Sequence, residues 1–267
     1  ESVLISGKST LKLIDVTTGI PEDTIKYGVA FHECIDADGN SYKVVKIGDQ
    51  TWMDENLKTT KFNDGTAIPY TKDNSVWSAS VLASTPAYCW YSDDTYQNAY
   101  GALYNWYAVN TGKLAPVGWH VATDDEWTIL GNYLMANGYN YDGTTTSNKY
   151  AKSLATTYSR FGSIFSAGCI GDDLSKNNSA GFYALPGGYR DSGSGVYYLN
   201  QSAFWRSASE NGTGGFGWNR SLLYYSAEMY RDSYVIPTGM SICCVKDLFI
   251  CLIVQSLLLL FSCNQEK

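Results

Sequence analysis

Residues 113–134 carry the clearest pattern of apolar and polar positions in the chain. Pro116 and Gly118 mark a turn, Trp119-His120-Val121 is a short extended run, and Thr123 followed three residues on by Glu126 forms a capping box. Beyond that cap Trp127, Leu130, Gly131 and Leu134 recur at i, i+3, i+4 and i+7, which is one apolar helical face, and Asn137-Gly138 stops it. A strand therefore feeds a capped amphipathic helix. Just upstream, residues 100–109 read as a second helix, with Leu103, Trp106 and Tyr107 on one face and Asn110-Thr111-Gly112 as its end.

Elsewhere the pattern is shorter. Residues 1–33 hold two strand-like stretches around Gly7 and a Pro-containing turn, the lead-in strands or the end of a preceding module. Asp36, Asp38 and Asn40 suggest a calcium loop, but Gly39 stands fourth instead of sixth and the twelfth position is Ile47. Asp38-Gly39 is better read as a turn joining two strands, the second running through residues 42–47 to a turn at Gly48-Asp49. Residues 62–86 read as loop and 88–91 as an aromatic strand. Residues 138–179 are rich in Asn, Gly, Ser and Thr, with one short helix near 149–155. Residues 182–190 form a strand broken at Pro186-Gly187-Gly188, and 204–209, 218–226 and 241–245 are short strands between Gly-rich loops. The expected core, where the two helices meet the sheet, is Trp52, Leu57, Leu103, Trp106, Trp119, Trp127, Leu130 and Leu134.

Composition narrows the class. Aromatics make up 15% of the 267 residues, with 22 Tyr and 8 Trp, while charged residues make up only 17%. Such a surface is tiled with neutral hydrogen-bonding groups, which suits an extracellular binding protein better than a cytosolic enzyme. A formal charge of −7 argues against nucleic acid, which needs clustered Lys and Arg. Seven Cys without a C-x-x-C spacing imply neither a zinc site nor a full disulfide framework.

Catalytic chemistry is thinly represented. His32 and His120 are the only histidines, and His120 inside a strand reads as a core or edge residue. Gly212, Gly214 and Gly217 match a phosphate-loop spacing but open no helix, so they read as a loop. Of three acidic pairs, Asp124-Asp125 fits a helix N-terminus, where the positive end of the dipole favours carboxylates. Asp93-Asp94 and Asp172-Asp173 are candidate cation oxygens, short of the six or more that calcium needs.

Five segments in order resemble the Fibrobacter succinogenes major paralogous domain: residues 45–57, 100–107, 118–127, 184–190 and 244–247, within a match from about Cys34 to Asp247. The resemblance implies an α+β, C-type-lectin-like fold related to that of formylglycine-generating enzymes, with two main helices packed on short, mostly antiparallel strands and long loops. It implies a bacterial protein, extracellular or on the outer-membrane surface; no cofactor is expected. The family pattern ends Gly-Phe-Ser-Val-Arg-Cys-Val-Lys-Asp, whereas residues 239–247 carry Met240 and Cys243 in place of Phe and Arg. If that Arg anchors the closing strand in relatives, this chain has lost the anchor. Adjacent Cys243 and Cys244 point to opposite faces of a strand, the wrong geometry for a shared oxidation site. A formylglycine-type oxidoreductase is therefore the alternative, with a purely structural surface protein as a third reading.

Some members of the family are similar to targets of diversity-generating retroelements, whose terminal region carries a variable binding surface. The matching region here, about residues 204–238, has the Tyr, Ser, Gly and Asn mixture of antibody paratopes, with single Trp and Arg residues. Trp218, Asn219, Tyr224, Tyr225, Tyr230, Arg231 and Tyr234 are thus the expected contacts for an extracellular glycan or protein. Residues 248–267 lie beyond the domain. Their apolar part would span roughly 22 Å as a helix, short of an approximately 30 Å bilayer core, and it resembles a lipoprotein signal fused from a neighbouring frame or a short tail anchor. Membrane contact is expected only through that tail.

Overall fold

A computed structural model describes residues 34–91, 97–158, 161, 166–193, 195–212 and 214–247. The expected lead-in strands at 1–33, the apolar tail at 248–267 and Asp93-Asp94 lie outside these residues. The fold is α+β, with mostly antiparallel strands and few helices.

The chain opens with a hairpin of β1 (Cys34–Ile35) and β2 (Ser41–Tyr42). Its turn is an Asp-centred one: the Asp36 carboxylate accepts from the N–H groups of Asp38 and Asn40, both at 2.9 Å, from the Asn40 amide at 2.8 Å and from the Tyr42 hydroxyl at 2.5 Å. Those oxygens are consumed inside the turn, which is the strand-joining role read from Asp38-Gly39.

A four-stranded antiparallel sheet follows the order β3 (Val44–Ile47), β4 (Gln50–Met53), β14 (Cys244–Lys246), β7 (Trp119–Val121). The closing strand thus inserts between the first long hairpin and the strand that feeds the main helix. The larger sheet runs β12 (Met229–Val235), β11 (Phe216–Leu223), β10 (Ser202–Glu210), β8 (Gly187–Arg190), β13 (Gly239–Met240), β6 (Leu103–Tyr104), β5 (Tyr88–Cys89), with β9 (Val196–Leu199) also paired to β8. Only the β10–β8 contact between these strands is parallel.

Four α-helices, α1 (Asn74–Leu82), α2 (Trp106–Val109), α3 (Asp124–Ala136) and α4 (Ala151–Leu154), and two short 3-10 turns, Gln97–Tyr100 and Leu174–Lys176, complete the described residues. The capping box of α3 is formed as read: Thr123 Oγ1 accepts from the Glu126 N–H, and Glu126 Oε2 accepts from the Thr123 N–H at 2.8 Å. Trp127, Leu130, Gly131 and Leu134 are its buried face. The Trp127 ring lies 4.6 Å from Trp52, 5.8 Å from Phe182 and 5.7 Å from Trp205, centroid to centroid, so one helix residue joins both sheets. All eight residues expected in the core are buried.

The helix expected over 100–109 does not form. Gly101 has φ +81, and a side chain there would run into Asn56 and the Leu57 carbonyl, so the backbone turns and then extends through β6. Asn105 then caps a single turn, its side-chain oxygen accepting from Ala108 N–H at 3.0 Å and also from Ala87 N–H at 3.1 Å. Leu103 and Trp106 are both buried, but in different places: Leu103 joins a small cluster with Trp77, Ala87 and Cys89. The second long helix is α1, inside the stretch read as loop. Asp73 caps it, and Trp77 is its one buried residue, anchored by Nε1 donating to the Pro237 carbonyl at 3.1 Å. A helix with one apolar anchor has no stripe for periodicity to reveal.

Candidate ligand-binding surface

Strand alternation divides the expected contact residues between two faces. Arg220 pairs with Trp205 on one side and Arg231 on the other, so these three share a face, as do Trp218 and Ser233. Ser221, paired with Phe204 and Tyr230, takes the opposite face, together with Gly217 and Tyr234.

On the first face Arg231 lies 3.6 Å over the Trp218 ring, and its Nε and Nη2 donate to the Asp124 carboxylate at 3.0 and 2.8 Å. Arg220 donates to the same carboxylate at 2.5 Å and to the Asp124 carbonyl at 3.0 Å. Burial pushes the Asp124 carboxyl up, but the two guanidiniums outweigh it and hold the group below the usual carboxylate range. Asp124 therefore does more than meet a helix dipole: it straps the N-terminus of α3 to β11 and β12. Trp218 and Arg231 are brought together, with the Nε and one Nη2 donor of the arginine committed to Asp124 and its half-exposed side chain keeping the rest.

The second face carries an aromatic shelf. Tyr189 is its centre, with ring centroids 5.0 Å from Phe204, 5.7 Å from Tyr198, 6.0 Å from Tyr197 and 6.1 Å from Tyr234. Phe204 is the buried floor, whereas Tyr197 and Tyr198 are 40% and 49% exposed. Adjacent strand residues normally point to opposite faces. Here Tyr198 has φ +62, and Gly188 across from it has φ +66. The reversal brings the Tyr198 ring onto Tyr189 at an interplanar angle of 27°, beside its neighbour Tyr197. Only glycine fits at 188, where a side chain would strike the Tyr197 carbonyl. A tyrosine held in the left-handed region costs about 1–3 kcal/mol, a strain that clusters at functional sites. Burial raises the pKa values of Tyr189 and Tyr234, reinforced by the Tyr234 phenol at the first and by the Asp232 carboxylate at the second, so both hydroxyls are neutral and can donate and accept at pH 7.

Of the expected contacts, Tyr234 belongs to this shelf. Tyr225, 49% exposed at the end of the β11–β12 turn, lies near enough for its hydroxyl to act on that of Tyr234, and its ring meets Tyr224 edge-on at 5.2 Å. Tyr230 is half-buried on the same face of β12. Asn219 is fully buried, with neither side-chain polar atom partnered, so it cannot touch a ligand at the surface. Its strand partner Arg206 is buried too, and its guanidinium gathers the carbonyls of Gly217, Tyr234, Val235 and Thr238 at 2.9–3.1 Å. Arg206 thereby fixes the strand end beside Tyr234. Tyr189, Tyr197 and Tyr198 escape a sequence reading because they lie upstream of the paratope-like stretch.

Other candidate chemistry is accounted for structurally. His120 is bracketed by Glu126 at 2.6 Å and Asp247 at 2.7 Å, and the Glu126 contact, opposed by burial and reinforced by Asp247, raises its pKa to about 9. The imidazolium ties β7 to the cap of α3 and to the end of the closing strand. Cys34, Cys89, Cys169, Cys243 and Cys244 are free and buried, and burial pushes the Cys243 and Cys244 thiols well up, keeping them protonated. Gly212, Gly214 and Gly217 belong to the β10–β11 connection and the start of β11, where no helix follows. Among the described residues no group of three or more His, Cys, Asp or Glu is placed to hold a metal ion.

The family model for the Fibrobacter succinogenes major domain matches residues 45–246. No curated protein and no solved structure matches the chain.

Proposed function

This chain belongs to the Fibrobacter succinogenes major domain family, and we propose that it is a non-enzymatic ligand-binding domain of C-type-lectin-like fold on a bacterial surface, taking a glycan on the tyrosine shelf. The observation that carries the reading is Tyr198, a strained residue whose reversed backbone sets its exposed ring on Tyr189 next to Tyr197. Exposed aromatic faces stack on the C–H face of a pyranose, and phenol hydroxyls at the rim exchange hydrogen bonds with sugar hydroxyls. The same rings would serve as hot spots for a protein ligand. Against the oxidoreductase alternative stand the buried, protonated thiols of Cys243 and Cys244.

The test is a glycan and protein array probed with the domain, with and without calcium. A glycan signal indifferent to calcium and lost in Tyr197→Ala/Tyr198→Ala supports the reading. A protein-only signal replaces the ligand class, and a glycan signal untouched by the double substitution moves the site.

A further inference from the structure

A second site, sharing no residue with the tyrosine shelf, lies in a cleft of about 300 Å³ between the chain leaving α3, helix α4 and the segment 167–179. Lys152 of α4 lines it and is only 4% exposed. Its ammonium donates to the carbonyls of Cys169, at 3.2 Å, and Asp172. Among the described residues no carboxylate forms an ion pair with it, so a buried cation is held by two neutral dipoles with one of its three N–H donors left over. Burial accordingly lowers the Lys152 pKa, with Asp172 and Asp173 opposing.

Asp172 and Asp173 offset part of the burial cost without pairing with the ammonium, and an anion in the cleft would make the direct contact they do not. Lys176 adds a second cation on the exposed side of the cleft, 3.0 Å from Asp173. The remaining lining is polar and aromatic. Tyr141, 44% exposed, packs so closely over Gly168 that a side chain there would overlap its ring, and the Asp172 carboxylate, accepting from the Gly168 N–H at 3.4 Å, supplies hydroxyl acceptors at the same wall. A bare anion would leave that carboxylate facing like charge. A hydroxyl-rich molecule with one carboxylate satisfies both ends and fits the volume.

The geometry points to a sugar acid the size of a single uronate, its carboxylate between Lys152 and Lys176, its hydroxyls on Asp172 and its ring against Tyr141. The bland alternative is that Lys152 only pins the 169–172 turn. Titration calorimetry of the domain with glucuronate, glucose and inorganic phosphate separates the two, with the Lys152 Nζ resonance followed by NMR. Glucuronate is expected to bind saturably and shift that resonance, with glucose and phosphate each at least about tenfold weaker, a difference near 1.4 kcal/mol. Lys176→Ala weakens glucuronate by roughly threefold, as befits an exposed ion pair. Because Lys152→Met risks unfolding, Ser179→Trp on the exposed rim of the cleft is the second variant, and it abolishes binding while leaving the fold intact. No glucuronate binding, equal binding of glucose or phosphate, or binding unchanged in Ser179→Trp overturns the proposal.

Discussion

Asp54 is a carboxylate that folding holds partly out of water. One of its carboxylate oxygens is buried without a partner, and burial followed by the charge of Glu55 raises its pKa to about 6. Cys243, where the family pattern has Arg, is close enough to feel the Asp54 charge, and its thiol donates to the Met53 carbonyl at 3.3 Å. The thiol brings no positive charge to that carboxylate, and Lys43 offsets only part of the rise. With the folded pKa near 6 and the unfolded value near 3.9, the contribution of Asp54 is full below about pH 4 and is lost as pH rises through about 6. Asp54→Asn should therefore raise stability at pH 7 by about 1 kcal/mol, allowing for partial exposure, with the gain vanishing near pH 4. Denaturant unfolding at the two pH values checks this; an equal effect at both would assign the change to something other than the charge.

At the scale of elements, α3 was legible because cap, apolar face and stop signal agree, and the structure uses each of them. Trp127→Ala removes the ring shared by Trp52, Phe182 and Trp205 and should cost about 3–5 kcal/mol, read as a lowered melting temperature. An unchanged melting temperature would mean the helix is held elsewhere. The helix expected at 100–109 was a coincidence of spacing: Leu103 and Trp106 are both buried, but a positive φ at Gly101 and the double use of Asn105 place them on a strand and a one-turn helix. Those constraints come from Asn56, Leu57 and Ala87, distant in sequence, and no local pattern encodes them. The strap between α3 and β12 was equally hidden, because Asp124 and Arg231 are brought together only by the sheet. Asp124→Asn leaves two guanidiniums without their carboxylate and should cost about 3 kcal/mol or more, whereas Arg231→Ala removes a half-exposed partner and should cost about 1 kcal/mol. Comparable losses in chemical denaturation would contradict a burial-dominated strap.

For the whole molecule, sequence order revealed the α+β class and the core, while the surface depended on which strands lie side by side. The paratope-like composition of 204–238 falls on the strands of the larger sheet, yet alternation sends Trp218 and Arg231 to one face and Tyr234 to the other, and buries Asn219. The shelf is completed by Tyr189, Tyr197 and Tyr198 from β8 and β9, which reach β12 only through the order β12-β11-β10-β8. Two adjacent tyrosines on one side of a strand cannot be read from an alternating pattern, since it is the left-handed backbone of Tyr198 that puts them there. We place the ligand on this shelf. The most direct test is the dissociation constant of the array-identified glycan for the native domain and for Tyr197→Ala/Tyr198→Ala, with circular dichroism confirming the fold. At least about a tenfold loss is expected, since each stacking ring contributes about 1 kcal/mol; affinity within a factor of about two of the native value, in a folded variant, would place the ligand elsewhere.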